Sequence, residues 1–357
     1  MAKLIRIFGI VTVIALVLLV VVDRLDASQG GGGGSNTLTV FNWGDYIDEE
    51  LITKFEEETG IRVIYETFDS NEAMLTKIEQ GGTTYDIAVP SEYTIDKMIE
   101  DDLLIELDHS QLPNMEYLNP DFMDLSFDPG NAYSIPYFWG TVGIVYNREM
   151  VGRELTSWDD LWADDLRNDI LLVDGAREIM GMGLNSLGYS LNTKEESELL
   201  EAQEKLQTLS PNIKAIVGDE IKMLIGNGEA ALGVVWSGEA AEIMYENEDL
   251  DYVVPEEGSN LWFDNMVIPK TADNVEGAHQ FINFMLDPEN AAQNAEYVGY
   301  STPSEAGYEL LPPEVAEDER FYPPEEVTER LEVYENLGPE WLGRYNELFL
   351  EFKMNLR

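Results

Sequence analysis

The residues with the most chemical potential in this chain gather where strand-like runs end. The first run closes on Trp43-Gly44-Asp45-Tyr46, and the third passes into Ser91-Glu92-Tyr93. A later one leads into Asp174-Gly175-Ala176-Arg177-Glu178, another ends at Trp236-Ser237-Gly238-Glu239, and an extended run carries Trp262-Phe263-Asp264. Aromatic rings and acids recur side by side. A ring face attracts a cation through its quadrupole and covers methylenes by stacking. A carboxylate pairs with an ammonium and accepts its hydrogen bonds. Aromatic walls with several carboxylates therefore suit a slender aliphatic chain bearing amines, a polyamine. Fully buried, the seven methylenes of spermidine contribute about 5–6 kcal/mol at ~0.8 kcal/mol each. Charge pairing adds less than its Coulomb energy, because both partners shed water.

The residue types leave two other readings open. Sugars also stack on rings, although they call for amides and hydroxyls more than for clustered acids. Paired carboxylates also serve glycosidases, and a sequence does not give their separation.

The elements that must position these residues follow from periodicity. Thr37 to Trp43 reads as a strand, and Ile47, Leu51, Ile52 and Phe55 recur at helical spacing until Gly60. Ile61 to Phe68 predicts a second strand, Asn71 to Gln80 a helix, and Asp86 to Pro90 a third strand. The alternation continues through Ile170 to Val173, Ile213 to Val217 and Ala231 to Trp236. This is an α/β pattern of mainly parallel sheets flanked by helices, in which ligands bind beyond the carboxyl ends of the strands. Ser134 to Tyr146 and Leu261 to Pro269 are extended runs without helical period, suited to carry the chain between two lobes. The expected division is 36–141 with 266–311 in one lobe, and 142–265 with 312–357 in the other. Trp139, Trp158, Trp162 and Trp341 read as packing, Ser157 with Asp160 as a helix cap, and Pro312 to Glu319 as a solvated acidic loop.

Composition narrows the function classes. The chain has 357 residues, 44% of them hydrophobic, which suits two lobes of ordinary size. Seventy acidic against 21 basic residues leave a net charge of −49, a field that repels phosphate backbones and excludes nucleic acid as a partner. With no cysteine there is no disulfide, thiolate chemistry or cysteine-linked lipid anchor, and only His109 and His279 supply imidazoles. No metal and no cofactor is expected. At the amino end, Lys3 and Arg6 precede an apolar run from Ile7 to Val22, and Gly30 to Gly34 form a flexible tether. The small-x-small cleavage pattern is poor, so residues 1–35 read as an uncleaved signal anchor, with a cleaved signal peptide as the alternative; either leaves the rest outside the cell.

At Asn42–Tyr46, Val89–Tyr93, Tyr133–Tyr137, Asp174–Glu178, Leu261–Asp264 and Val298–Pro303 the chain resembles the spermidine/putrescine-binding proteins of bacterial ABC transporters, of Gram-positive type. The likeness runs from about Thr37 to the carboxyl end. It implies a two-lobed, periplasmic-binding-protein-like (type II) fold hinged at two crossovers, and a monomeric receptor that hands polyamines to a membrane permease. It also implies walls made by Trp43, Tyr46, Tyr93, Trp236, Trp262 and Tyr300, acids at Glu178 and Asp264, and a polar contact at Ser91. Three positions depart from the family pattern. A threonine is replaced by Gly44, an acid by Gly175, with Asp174 beside it as the expected substitute, and a glutamine by Tyr334.

Overall fold

Thr37–Trp43 forms β1 and pairs in parallel with β2, Arg62–Phe68, from Thr37 opposite Arg62 to Trp43 opposite Phe68. These elements belong to a computed structural model that describes residues 36–218 and 220–356; the expected anchor and tether lie outside the described residues. Between the two strands runs α1, Glu49–Thr59, which buries Leu51 and Phe55. Asp48 starts it by accepting the Glu50 N–H, and Gly60 ends it at φ 71°, a left-handed cap that costs glycine little. Ser70 caps α2, Asn71–Gln80, through the Ala73 N–H. The third strand, β3, is confined to Ile87–Ala88. Asp86 and Val89 still donate to Thr39 and Phe41 carbonyls, but Pro90 has no N–H with which to extend the ladder. Helix α3 follows at Glu92–Glu100.

The long strand β4, Ser134–Asn147, is buried throughout and joins two sheets. Its residues 134–141 run antiparallel to β9, Leu261–Val267. Its residues 142–147 run antiparallel to β7, Leu232–Trp236, and β8, Leu250–Val253. Beyond β7 lie β5, Ile170–Val173, and β6, Ile213–Val217, giving the order β2-β1-β3-β9-β4-β7-β5-β6. The strands that helices connect pair in parallel, β1 with β2 and β3, and β5 with β6 and β7. The two crossing strands run against them, so each sheet is mixed. A parallel pair needs a crossover helix, and the crossing strands return without one.

Helix α4, Ala176–Asn185, follows β5; α5 spans Glu196–Leu209, and α6, Ser237–Glu246, leaves β7 directly. Helix α7, Val275–Met285, and α8, Pro288–Val298, follow β9. The last helix, α9, Gly338–Asn355, buries Tyr345, Leu348, Phe349 and Phe352 and packs on α4 and α5. Tryptophans read as packing are so placed. The Trp158 indole donates to Gly258 O at 2.9 Å, below a Ser157–Asp160 capping box, and that of Trp139 to Thr302 O at 3.0 Å. Trp162 donates to Thr208 Oγ1 at 2.8 Å, and Trp341 is half-buried against the core. The acidic loop at 312–319 exposes Pro313, Glu314, Glu317 and Glu319, while Val315 and Ala316 pack against the core from a short turn of helix, Pro313–Ala316.

Candidate functional site

Asp264 is the point where the sheet ends meet. After β3 the chain turns at Pro90 and runs beside β9: Asn265 donates to Pro90 O at 3.0 Å, and Ser91 forms an antiparallel bridge to Asp264. That register lets Ser91 Oγ donate to Asp264 Oδ1 at 2.7 Å. From the turn after β1, the Tyr46 hydroxyl donates to Asp264 Oδ2 at 2.6 Å. Asp264 is only 6% exposed, and its burial pushes the carboxyl up to about 6 against the pull of the two hydroxyls. A carboxylate has about four lone-pair positions, and two remain for another donor.

Three rings close around this acid. Tyr46 meets Tyr300 at 5.4 Å between centroids, and Tyr300 meets Trp262 edge-on at 5.1 Å. The opposite side of Tyr300 rests on Gly238 in the first turn of α6, so close that a Cβ there would penetrate the ring. Burial holds the Tyr46 and Tyr300 phenols well above their ordinary range, so both remain hydrogen-bond donors. Trp43 is half-buried, 4.5 Å from Phe68, and its buried Nε1 has no hydrogen-bond partner among the described residues. Trp236 ends β7 opposite Val142 and is also half-buried.

A second cluster forms around Glu178 in the first turn of α4. Its carboxylate folds back over Gly175, and burial raises its pKa. Nearby, the Arg177 guanidinium lies 4.2 Å from the Tyr334 ring, and Tyr334 stands edge-on to Tyr93 at 6.3 Å. Asn71 joins the two clusters. Its Nδ2 reaches Ser91 Oγ at 3.0 Å and the Tyr93 hydroxyl at 2.9 Å, while its Oδ1 accepts the Ser91 N–H at 3.1 Å.

Tyr46, Ser91, Tyr93, Glu178, Trp262, Asp264 and Tyr300 lie in these two clusters, and Trp43 and Trp236 end β1 and β7. Asp174 does not join them. Both its oxygens take Lys353 Nζ of α9, at 2.6 and 2.7 Å, and the residue is exposed. That pairing, rather than a place beside Glu178, is where the structure puts the acid expected to substitute at position 175. Asn71, Arg177 and Glu92 were missed. Asn71 looks like an ordinary first residue of a capped helix, and the burial of Arg177 and Glu92 has no sequence signature. Among the described residues no group of three or more His, Asp or Glu side chains is placed to hold a metal ion. The arrangement is one of buried acceptors and ring faces, chemistry for holding a cation.

Residues 50–323 match the family described as bacterial extracellular solute-binding protein. The chain belongs to that family. It is 40% identical over 316 residues to the spermidine/putrescine-binding periplasmic protein of Escherichia coli, covering 88% of this chain and 91% of that one. Among solved structures it is similar to the spermidine/putrescine ABC transporter substrate-binding protein of Streptococcus pneumoniae, with 60% identity, a TM-score of 0.84, and coverage of 90% and 100%. A lipoprotein of Treponema pallidum superposes with a TM-score of 0.81 at 29% identity, covering 89% and 100%. The fold is the two-lobed type II arrangement of this family. Its members are solute receptors rather than enzymes.

Proposed function

We propose that this chain is the polyamine receptor of an ABC importer. It binds spermidine or putrescine between two lobes and delivers it to membrane permease subunits, working as a monomer outside the cell and held there by residues 1–35. The observation that carries this reading is the Asp264 site. A nearly buried carboxylate is preset by Tyr46 and Ser91 beneath the crossed rings of Tyr300 and Trp262, in a chain 60% identical to a spermidine/putrescine transporter protein. Asp264 takes one ammonium and Glu178 another, while Trp43, Tyr93, Trp236 and the three rings at Asp264 cover the methylenes.

Strands β4 and β9 serve as the hinge, with the lobe limits given by the sequence. Contacts that cross between those lobes include Tyr300 on Gly238, Tyr93 on Tyr334, and Tyr46 and Ser91 on Asp264. Ligand favours the closed form because both sets of groups reach it only there. Thermal-shift measurements with putrescine, spermidine, spermine and a panel of sugars test the reading. Stabilisation by polyamines is expected; stabilisation by sugars alone would overturn it.

A further inference from the structure

Glu92 is the most deeply buried acid among the described residues, with none of its surface exposed, at the first position of α3. Its Oε2 accepts the Phe263 N–H at 3.0 Å, while Oε1 has no hydrogen-bond partner among the described residues. Phe263 stands between Trp262 and Asp264, so this bond holds, on the side away from β4, the main chain that carries both. Groups on other elements face Glu92: Asp264 on β9, Arg177 on α4, and Tyr334 ahead of α9; Tyr93 faces it from its own helix. Burial, reinforced by Asp264, pushes the Glu92 carboxyl up to about 8 against the pull of the Phe263 N–H, its own N–H and Arg177. A dry environment with one oxygen unpartnered favours the neutral acid.

We propose that Glu92 is a positioning residue of the binding site, which sets Trp262 and Asp264 through Phe263 as a neutral acid and gives up its proton when an ammonium arrives at Asp264. The proposal rests on the polyamine reading above. The Glu92 O–H bond breaks, the proton leaves to solvent, and the carboxylate left behind shares the positive charge of the ligand. The ammonium offsets the Asp264 charge that opposes a second anion, so ionising Glu92 becomes easier with ligand bound. By linkage, affinity rises with pH through the neutral range, while an alkyl ammonium, with a pKa of about 10, stays charged.

The test is calorimetric titration of the full chain, in mild detergent, with putrescine at pH 7.5 in two buffers of different ionisation enthalpy. Wild type is expected to release on the order of half a proton per putrescine bound. Glu92→Gln keeps an acceptor for Phe263 but has no proton to lose. It should lose most of that release and bind several-fold more weakly at pH 8 than wild type, with a smaller deficit at pH 6.5. Infrared spectra of wild type add a reading that needs no variant: a protonated-carboxyl band at pH 7.5 that putrescine removes. Equal proton release in both proteins, an affinity ratio that does not change with pH, or no such band would overturn the role of Glu92. If wild type binds no polyamine, the functional reading falls with it; binding without proton release removes only this inference.

Discussion

The carboxylate of Glu178 occupies the space that a Cβ on Gly175 would need. Glycine at this position, where the resemblance leads one to expect an acid, is therefore what allows Glu178 to fold back at the start of α4. Gly175→Ala is expected to push that carboxylate away and weaken polyamine binding by several-fold, while leaving the melting temperature within a few degrees. Isothermal calorimetry of the variant checks this, and an unchanged affinity would separate Glu178 from the ligand.

Asp264 should behave as the principal ammonium acceptor. Asp264→Asn is expected to cost ten-fold or more in affinity, about 1.4 kcal/mol, without unfolding the chain. Its pH dependence has a definite sign. Burial raises its carboxyl to about 6, and the cation binds the ionised form, so affinity should fall as pH drops below about 6, by up to ~10-fold per pH unit. Loss of Tyr46 or Ser91 removes a donor that favours the anion, so Tyr46→Phe should shift this fall to higher pH. Titrations between pH 5 and 7 read all three effects.

Gly238 and Tyr300 form a contact that tolerates no added methyl. Gly238→Ala drives a Cβ into the ring, and overpacking of this kind typically costs about 1–3 kcal/mol. The contact lies between the proposed lobes, so the variant should close less readily and bind polyamine more weakly, with each lobe still folded. Small-angle scattering with and without spermidine would detect the impaired closure; normal compaction would show that the contact plays no part in it.

Asp174 provides the contrast. Its partner is Lys353, an exposed ion pair worth ~1 kcal/mol or less. Asp174→Asn should leave polyamine affinity within two-fold of wild type, whereas Glu178→Gln should reduce it by about ten-fold. Parallel calorimetry of the two variants decides between them, and a large loss in Asp174→Asn would return that acid to the site.

Much of the positioning framework was legible in the residues alone. The turn at Gly60 and the helix beginning at Asn71 follow from a period of 3.6 and local capping, and the extended run Leu261 to Pro269, of which Leu261–Val267 forms β9, from the lack of that period, signals that act over a few residues. The same logic put Tyr46 and Ser91 at strand ends and Asp264 within the second extended run. It could not show that they hydrogen-bond, because Tyr46 and Asp264 are 218 residues apart. That pairing exists only because β3 lies between β1 and β9, which brings the turn after β1 to Asp264.

Sequence by itself determined the α/β alternation, the acidic character that excludes nucleic acid, and the pairing of rings with carboxylates that points to an organic cation. Tertiary structure decided which acids are dry. Asp174 and Glu178 sit four residues apart on one segment, yet α9 brings Lys353 to the first while Gly175 makes room for the second. Burial and partnership depend on what other elements bring to a side chain, and that is set by the assembled backbone rather than by neighbours along the chain.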